Sequence, residues 1–194
     1  MNNLAASTSA ISPKQKRLTL IDGSGFIFRA FFAMPQLTRK DGTPTGAVYG
    51  FVNMMLKLMN DRLSDEVEDY VAVIFDAGRH TFRNEMYSEY KANRDEPPEE
   101  LRPQFALVRE ATEALNLPSI ELVGFEADDL IASYTRLAAA QGWEVVIVSS
   151  DKDLMQLVDD AQGICMFDAM KDKVIDAQAV RDKFGVEPDK VLDV

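Results

Sequence analysis

Residues 18 to 26 read LTLIDGSGF, a short apolar run that ends in an aspartate and a glycine-rich turn. Two further runs have the same form, since residues 70 to 75 come directly before Asp76 and residues 145 to 148 come before the segment SSD at 149 to 151. Consecutive apolar residues rich in valine and isoleucine are typical of strands that are buried on both faces of a parallel sheet. The sequence therefore predicts three parallel strands, each followed closely by an acid.

Helical patterns separate these strands. Residues 46 to 62, 101 to 116 and 130 to 140 repeat apolar side chains every three or four positions, as a helix with one buried face does. Strands that alternate with helices predict an α/β fold of three layers, in which helices cover both faces of a central, mostly parallel sheet. Ligands of such sheets bind beyond the carboxyl ends of the strands, which is where the acids are predicted.

The segment GFEADD, residues 124 to 129, adds three carboxylates at the start of the helix that follows a short strand candidate at 120 to 123. One acid in a first helical turn is explained by capping and by the helix dipole, whereas three acids repel one another. With the strand-end acids they make seven candidate metal ligands at one edge of the sheet: Asp22, Asp76, Glu126, Asp128, Asp129, Asp151 and Asp153.

Carboxylates gathered at one edge have raised pKa values unless cations neutralise them. Oxygen ligands suit Mg²⁺, and two ions roughly 3.5 to 4 Å apart can clamp a phosphodiester. Taken singly, Asp22 and Asp151 could be caps, Asp129 a first-turn helix acid and Asp153 a solvated side chain. Because all of these explanations must hold together, we favour a site for two Mg²⁺ ions, for which Mn²⁺ can substitute.

A polar stretch at residues 78 to 100, GRHTFRNEMYSEYKANRDEPPEE, interrupts the alternation and is predicted to be a surface insertion. The chain has a net charge of −11, so any nucleic-acid site must be local or metal-assisted. The first part of the insertion is basic and aromatic, a combination that suits a single nucleic-acid strand, although a solvated helix would explain it equally well. Its helical spacing predicts one shared face for Tyr87, Tyr90, Lys91 and Arg94.

The predicted roles of the basic and aromatic residues follow from this placement beside the acids. Lys91 and Arg94 are expected to offset negative charge on the transition state of in-line phosphodiester hydrolysis. The predicted nucleic-acid-binding set, which includes one residue of the helix after the first strand, is Arg29, Arg79, Tyr87, Tyr90, Lys91 and Arg94. His80 is expected to be exposed.

Composition and other motifs narrow the class of protein. The chain of 194 residues is 46% hydrophobic and 27% charged, which is typical of one soluble globular domain, and it has no run that would span a membrane. The chain has a single cysteine, Cys165, so it cannot form an internal disulfide, and this cysteine is predicted to lie in the core. We expect a cytoplasmic protein. We also expect a monomer. Residues 1 to 17 lack the pattern of a secretory signal and are predicted to be a disordered leader before a domain at 18 to 194.

The motifs LIDGSGFIFRAFFA, TPTGAVYGF, VIFDAG, TFRNEMYSEYKANR, GFEADDLIAS and SSDKDLMQLV follow one another in this order. In these motifs the chain resembles the N-terminal 5′ to 3′ exonuclease domain of bacterial DNA polymerase I, a flap endonuclease family with a PIN-like (resolvase-like) fold. The resemblance implies a Mg²⁺-dependent, structure-selective nuclease that removes 5′ flaps and RNA primers from DNA in replication and repair.

The resemblance also implies roles for individual positions. The acids from Asp22 to Asp129 match one metal site and its surroundings, and Asp151 and Asp153 match acids that serve both sites. Arg83, Lys91 and Arg94 match catalytic basic residues that hold the scissile phosphate, as Arg29 also does, and residues 79 to 100 match an arch through which a 5′ single strand passes. We call residues 79 to 100 the arch segment.

One departure from the family pattern concerns the end of the sequence. In the family, a further acid pair and a helix-three-turn-helix motif that grips duplex DNA follow the position of Val194. The sequence alone therefore leaves three alternatives to an active flap nuclease: a PIN-type ribonuclease, a DNA-binding piece with weak or no catalysis, and a fold that is only stabilised by metal.

Overall fold

The computed structural model describes residues 15–62, 67–93 and 95–193. Residues 1–14 of the predicted leader and the predicted phosphate ligand Arg94 lie outside these ranges. Within them, no helix is long and apolar enough to cross a membrane.

The described residues form one sheet of six strands in the order β3-β2-β1-β4-β5-β6. The first five strands are parallel and β6 is antiparallel to β5. Their bounds are β1 Lys16–Asp22, β2 Glu68–Ile74, β3 Ser119–Ile120, β4 Glu144–Val148, β5 Ile164–Asp168 and β6 Lys173–Ile175.

Helices lie between the strands and pack on both sides of the sheet. The α-helices are α1 Gly23–Ala33, α2 Gly46–Arg62, α3 Phe82–Met86, α4 Arg102–Ala114, α5 Ala127–Ala139 and α6 Ala177–Phe184. Three short 3-10 helices span Asp153–Leu157, Asp160–Gln162 and Pro188–Asp193.

The strand side chains alternate between two separate cores, which confirms the predicted three-layer α/β fold. Leu20 of β1 packs with Ile131 of α5 on one face, and Ile21, the next residue, packs with Phe51 of α2 on the other. Each of these four residues exposes at most 1% of its surface to solvent. Because both faces of β1 are covered, apolar residues lie on both of its faces rather than on alternate positions only.

The strand order places the carboxyl ends of β1 and β4 side by side. The chain moves outward from β1 to β2 and β3, then returns to the other side of β1 to form β4. Such a reversal of direction leaves a crevice beyond the strand ends, where doubly wound sheets bind their ligands. The predicted acids therefore stand at the topological switch point of the sheet.

Several predictions about individual segments need correction. The candidate strand at 120 to 123 is only the two residues Ser119–Ile120, and β5 and β6 were not predicted. Cys165 of β5 is half-buried and not a core residue, because the sheet face beside it is open to a cavity of about 440 Å³ that the side chain lines.

Candidate active site

The first carboxylate stands where β1 runs into α1. Asp22 is the N-cap of α1, and its Oδ1 accepts a hydrogen bond of 2.9 Å from the backbone N–H of Gly25. Its Oδ2 accepts a bond of 2.8 Å from the hydroxyl of Ser149, a buried residue directly after β4. Burial raises the pKa of Asp22, and the charges of Asp76 and Asp151 add to that rise. The side chain is thus both a helix cap and a member of a group of interacting acids.

Asp76 connects the end of β2 to the beginning of α5. Its Oδ1 accepts a hydrogen bond of 2.8 Å from the backbone N–H of Ala127, the first residue of that helix. The backbone N–H of Asp76 donates to the hydroxyl of Ser24 at 3.2 Å. These two bonds hold the carboxyl ends of β1 and β2 and the N-terminus of α5 together at one edge of the sheet.

Asp128, in the first turn of α5, has a strongly perturbed carboxyl group. Its pKa is raised from a usual value of 3.8 to about 7, chiefly by burial and then by the charges of Asp151, Asp22 and Asp76, whereas the charge of Lys91 acts to lower it. Four of the seven predicted carboxylates therefore act on one another electrostatically, although they come from four separate parts of the sequence.

These four side chains have the chemistry of a site for a hard divalent cation, since they offer only carboxylate oxygens. Among the described residues, no three histidine, cysteine, aspartate or glutamate side chains converge closely enough to hold an ion as they stand. The four acids can still influence one another's charge at this spacing, because charges interact over longer distances than a metal–oxygen bond spans. Asp22, Asp76, Asp128 and Asp151 fit Mg²⁺ by donor type, and their oxygens would have to draw in around it.

Asp151 and Asp153 form a turn beyond β4. The backbone N–H of Asp151 donates to the hydroxyl of Ser149 at 3.0 Å, and the Oδ1 of Asp151 accepts from the backbone N–H of Asp153 at 2.9 Å. Asp151 thus caps the following turn and also contributes to the field on Asp128. Asp153 is exposed in the first turn of a 3-10 helix. Its role as a ligand stays a prediction.

Glu126 and Asp129 differ from the other acids because basic side chains of the arch segment neutralise them. The guanidinium of Arg83 donates to both oxygens of Asp129, each at 2.7 Å. The ammonium of Lys91 donates to Oε1 of Glu126 at 2.6 Å, and the hydroxyl of Tyr90 donates to its Oε2 at 3.1 Å. The expected set of seven similar ligands is therefore divided into carboxylates that repel one another and carboxylates that hold the arch segment.

The shared helical face predicted for the arch segment does not form. Helix α3 ends at Met86, and Lys91 has a positive φ of 54°, which interrupts any continued helix. Tyr90 and Lys91 both reach Glu126, whereas the hydroxyl of the exposed Tyr87 donates to the neighbouring Glu89 at 2.9 Å. Tyr87 is therefore not brought to the acidic edge with Tyr90 and Lys91.

Two of the predicted DNA-binding arginines stand at different distances from the acids. Arg29 of α1 donates to the hydroxyl of Ser150 at 2.6 Å, which places a guanidinium beside the end of β4. Arg79 instead pairs with Glu96 within the arch segment, and Glu96 also pairs with Arg102 at 3.2 Å. His80 is exposed, as predicted.

Sequence reasoning overlooked Ser149 and Arg109. Ser149 is 3% exposed, and its hydroxyl bonds Asp22 and Asp151, so it fixes the distance between the ends of β1 and β4. In the sequence, this role is indicated by the position of Ser149 directly after the apolar run of β4. Arg109 of α4 donates to the backbone carbonyl of Asp76 at 2.8 Å and has no comparable signal, because its partner lies 33 positions away.

Comparisons with known proteins relate this arrangement to a family. A model of the family described as 5′-3′ exonuclease, N-terminal resolvase-like domain, matches residues 17–185. DNA polymerase I of Rhizobium leguminosarum is 57% identical over 185 residues, which cover 93% of this chain and 18% of that protein. The 5′-3′ exonuclease of Aquifex aeolicus is 39% identical over 178 residues, which cover 92% of this chain and 60% of that protein. The chain thus spans less than two thirds of either relative.

Solved structures share the fold at lower identity. The bacteriophage T5 flap endonuclease, in a complex with DNA and metal ions, superposes with a TM-score of 0.68 at 23% identity, over 91% of this chain and 64% of that one. The catalytic core of Rad2 in complex with a DNA substrate superposes with a TM-score of 0.51 at 16% identity, over 92% of this chain and 53% of that one. At these identities the likeness shows the fold alone.

Proposed function

The chain belongs to the family of 5′-3′ exonucleases, of which it carries the N-terminal resolvase-like domain, and on that premise we propose that it hydrolyses phosphodiester bonds of DNA at 5′ ends and 5′ flaps. The relatives named DNA polymerase I and 5′-3′ exonuclease support a nuclease acting from the 5′ end. The DNA complex of the structurally similar T5 flap endonuclease supports a branched DNA substrate.

One observation carries the proposal: at the switch point of the sheet, burial and the charges of Asp76 and Asp151 raise the pKa values of Asp22 and Asp128, and the ammonium of Lys91 is close enough to act on Asp128. A phosphodiester is itself an anion and would be repelled by this group of acids alone. Bound divalent ions would supply the charge that joins carboxylates to phosphate and would lower the pKa of the attacking water. Mg²⁺ is the ion we propose, and structures of T5 exonuclease with bound metal ions support a divalent metal.

The protein side chains have separate tasks in this hydrolysis. Asp22, Asp76, Asp128 and Asp151 would hold the ions, and Ser149 keeps the ends of β1 and β4 in register. Lys91 and Arg29 stand on two sides of the acids and bind the phosphate that is cleaved. Lys91 leaves Glu126 to do so, and its charge then stabilises the additional negative charge of the transition state.

The reaction is a displacement at phosphorus. A water oxygen forms a bond to phosphorus, the bond from phosphorus to the 3′ oxygen breaks, and the proton lost by the water ends on that leaving oxygen. No covalent intermediate with the protein is required. The products are a 3′ hydroxyl on one fragment and a 5′ phosphate on the other, which suits removal of flaps and of RNA primers in a protein of the DNA polymerase I type.

The test is cleavage of a 5′-labelled flap DNA by the 194-residue chain, with Mg²⁺ and with EDTA. We expect cleavage only with the metal, and a rate lower by roughly 10²-fold or more for Asp128→Asn, because one charged group of the site is lost. Glu110→Gln, which removes the same charge from an exposed position of α4, is the matched control and should cleave at the unchanged rate.

The same assay separates the rival functions. A PIN-type ribonuclease would cut single-stranded RNA faster than flap DNA, and a binding module would retain flap DNA without products. Failure to cut any DNA with Mg²⁺ or Mn²⁺ would overturn the proposal. We propose that the protein acts in the cytoplasm, where bacterial DNA is replicated and repaired, and that it is a monomer.

A further inference from the structure

The ion pair between Arg83 and Asp129 joins the arch segment to the body of the fold through two hydrogen bonds. The two terminal nitrogens of the guanidinium each donate to one carboxylate oxygen at 2.7 Å. The Oδ2 of Asp129 also accepts from the backbone N–H of Glu126 at 2.9 Å, which closes the N-terminus of α5. A two-pronged contact of this kind fixes orientation as well as distance.

Both partners are only partly accessible to solvent. The side chain of Arg83 is 30% exposed and that of Asp129 is 21% exposed. Both oxygens of the Asp129 carboxylate accept from the guanidinium of Arg83, so its negative charge is already paired with a cation. A carboxylate paired in this way attracts a divalent cation less than one that has no basic side chain bonded to it.

Arg83 lies in α3, and the pair therefore fixes the first part of the arch segment to α5. The guanidinium stacks on Phe82, with the central carbon 4.6 Å from the ring centre, and lies 5.8 Å from the ring centre of Tyr90. The backbone N–H of Phe82 donates to the carbonyl of Gly124 at 2.9 Å, so the base of α3 is tied to the loop before α5 as well.

A chain of contacts leads from this base to Lys91. The side-chain amide of Asn84, in α3, donates to the backbone carbonyl of Tyr90 at 3.1 Å. Tyr90 in turn donates its hydroxyl to Glu126, and the ammonium of Lys91 bonds the other oxygen of Glu126 at 2.6 Å. The position of the Lys91 ammonium relative to the acids thus depends on where Arg83 holds α3.

We propose that Asp129 is a positioning residue, which places Lys91 at the acidic edge by way of Arg83, and that it is not a metal ligand. This inference rests on the proposed nuclease function for its effect on cleavage, because Lys91 is the phosphate-binding group of that function. It replaces the ligand role that the sequence suggested for Asp129.

The first experiment measures cleavage of flap DNA by Asp129→Asn in two backgrounds. In the otherwise unchanged chain we expect the cleavage rate to fall about 10-fold, because a small displacement of a catalytic group lowers the rate by about this factor. In a Lys91→Ala background the same substitution should cost less than about 2-fold, because residues that act as one unit are not additive. Equal factors in both backgrounds would overturn the inference.

A conservative variant tests the same pathway from the other partner. Arg83→Lys keeps the charge and can make one of the two hydrogen bonds, so it should retain more activity than Arg83→Gln. A loss in Arg83→Lys that equals the loss in Arg83→Gln would mean that the paired geometry is needed. A loss in neither variant would contradict the inference.

Two readouts do not depend on cleavage. Affinity for Mn²⁺, measured by calorimetry, should be unchanged in Asp129→Asn and lowered in Asp128→Asn, whereas a drop in both would make Asp129 a ligand and overturn the inference. Backbone hydrogen exchange over residues 82–93 should accelerate in Asp129→Asn and in Arg83→Gln, and no further in the double variant. Unchanged exchange would show that the pair does not hold the arch segment.

These readouts also separate the inference from the proposed function. If the unchanged chain cuts no DNA, the proposed function fails, and the exchange and Mn²⁺ measurements still decide whether Asp129 holds the arch segment or binds the ion. If the chain cuts DNA but Asp129→Asn binds Mn²⁺ less tightly, the function stands and the positioning role fails.

Discussion

Replacing Asp128 with asparagine should stabilise the metal-free protein at pH 8. In the absence of a cation, the Asp128 carboxylate is partly buried among the charges of Asp151, Asp22 and Asp76, and its pKa is about 7 where 3.8 is usual. Asparagine keeps the size and hydrogen-bonding capacity of the side chain and removes its charge. We therefore expect a larger free energy of unfolding for Asp128→Asn than for the unchanged chain in EDTA.

The magnitude follows from the pKa difference. A rise of about 3 pH units corresponds to a ceiling of about 4 kcal/mol at a pH above both values. Because the side chain is partly open to solvent, screening reduces the expected gain to about 1 to 2 kcal/mol. For a domain of this size, each kcal/mol moves the melting temperature by roughly 2 to 4 °C, so the variant should melt roughly 2 to 8 °C higher.

The sign of the pH dependence follows from proton binding. With a raised pKa, the folded protein holds more protons than the unfolded chain between about pH 4 and pH 7, so this group lowers stability as the pH rises through that window. The destabilisation is complete above the folded pKa and absent below the unfolded one. At pH 5 the advantage of Asp128→Asn should therefore shrink to about a third of its value at pH 8.

Thermal unfolding followed by circular dichroism at pH 5 and pH 8, in EDTA and in Mg²⁺, measures these quantities. Mg²⁺ should raise the melting temperature of the unchanged chain more than that of the variant, because only the folded site binds the ion. Glu110→Gln is the control for a lost surface charge. An equal gain at both pH values, or an equal gain in Glu110→Gln, would refute the account of the site as a group of repelling carboxylates.

Three further outcomes follow from single contacts. Ser149→Ala should lower stability by about 1 to 2 kcal/mol in denaturant titration, because a buried hydrogen bond to Asp22 is lost, and a fully stable variant would contradict the bridging role. Arg29→Ala should weaken flap-DNA binding and reduce the slope of log affinity against log salt by about 1, as measured by fluorescence anisotropy, and an unchanged slope would remove it from the phosphate contacts. Gly23→Ala should lower the free energy of unfolding by about 1 to 3 kcal/mol, because the added methyl would stand 2.4 Å from the ring of Phe75. A neutral result in thermal melts would show that the ring can move.

Much of the fold follows from local sequence pattern. The periodic segment at 46 to 62 forms α2 with the same bounds, and the apolar runs form β1, β2 and β4 with ends that differ by about two residues from the predicted ones. Strand β6 was not predictable in this way. It is three residues long, and Val174 in its centre is 49% exposed, so it has too little apolar pattern to be recognised without its neighbour β5.

The arch segment shows where local pattern misleads. The spacing of Tyr87, Tyr90 and Lys91 fits a helical face, yet Lys91 has a left-handed backbone and Tyr87 turns away to Glu89. The segment is held instead by contacts with α5, and intrinsic helix propensity is weak enough to be overridden by tertiary contacts of this kind.

The sequence by itself determined that acids gather at one edge of the protein, because strands buried on both faces are apolar throughout and parallel strands end together. It could not determine which of those acids face other carboxylates and which are paired with a basic side chain. Asp128 faces other carboxylates, and Asp129, the next residue, faces Arg83, which lies 46 positions away. Adjacent side chains of a helix point in directions about 100° apart, so only the packing of the arch segment against α5 decides which carboxylate is left with negative neighbours and which one gains a cation.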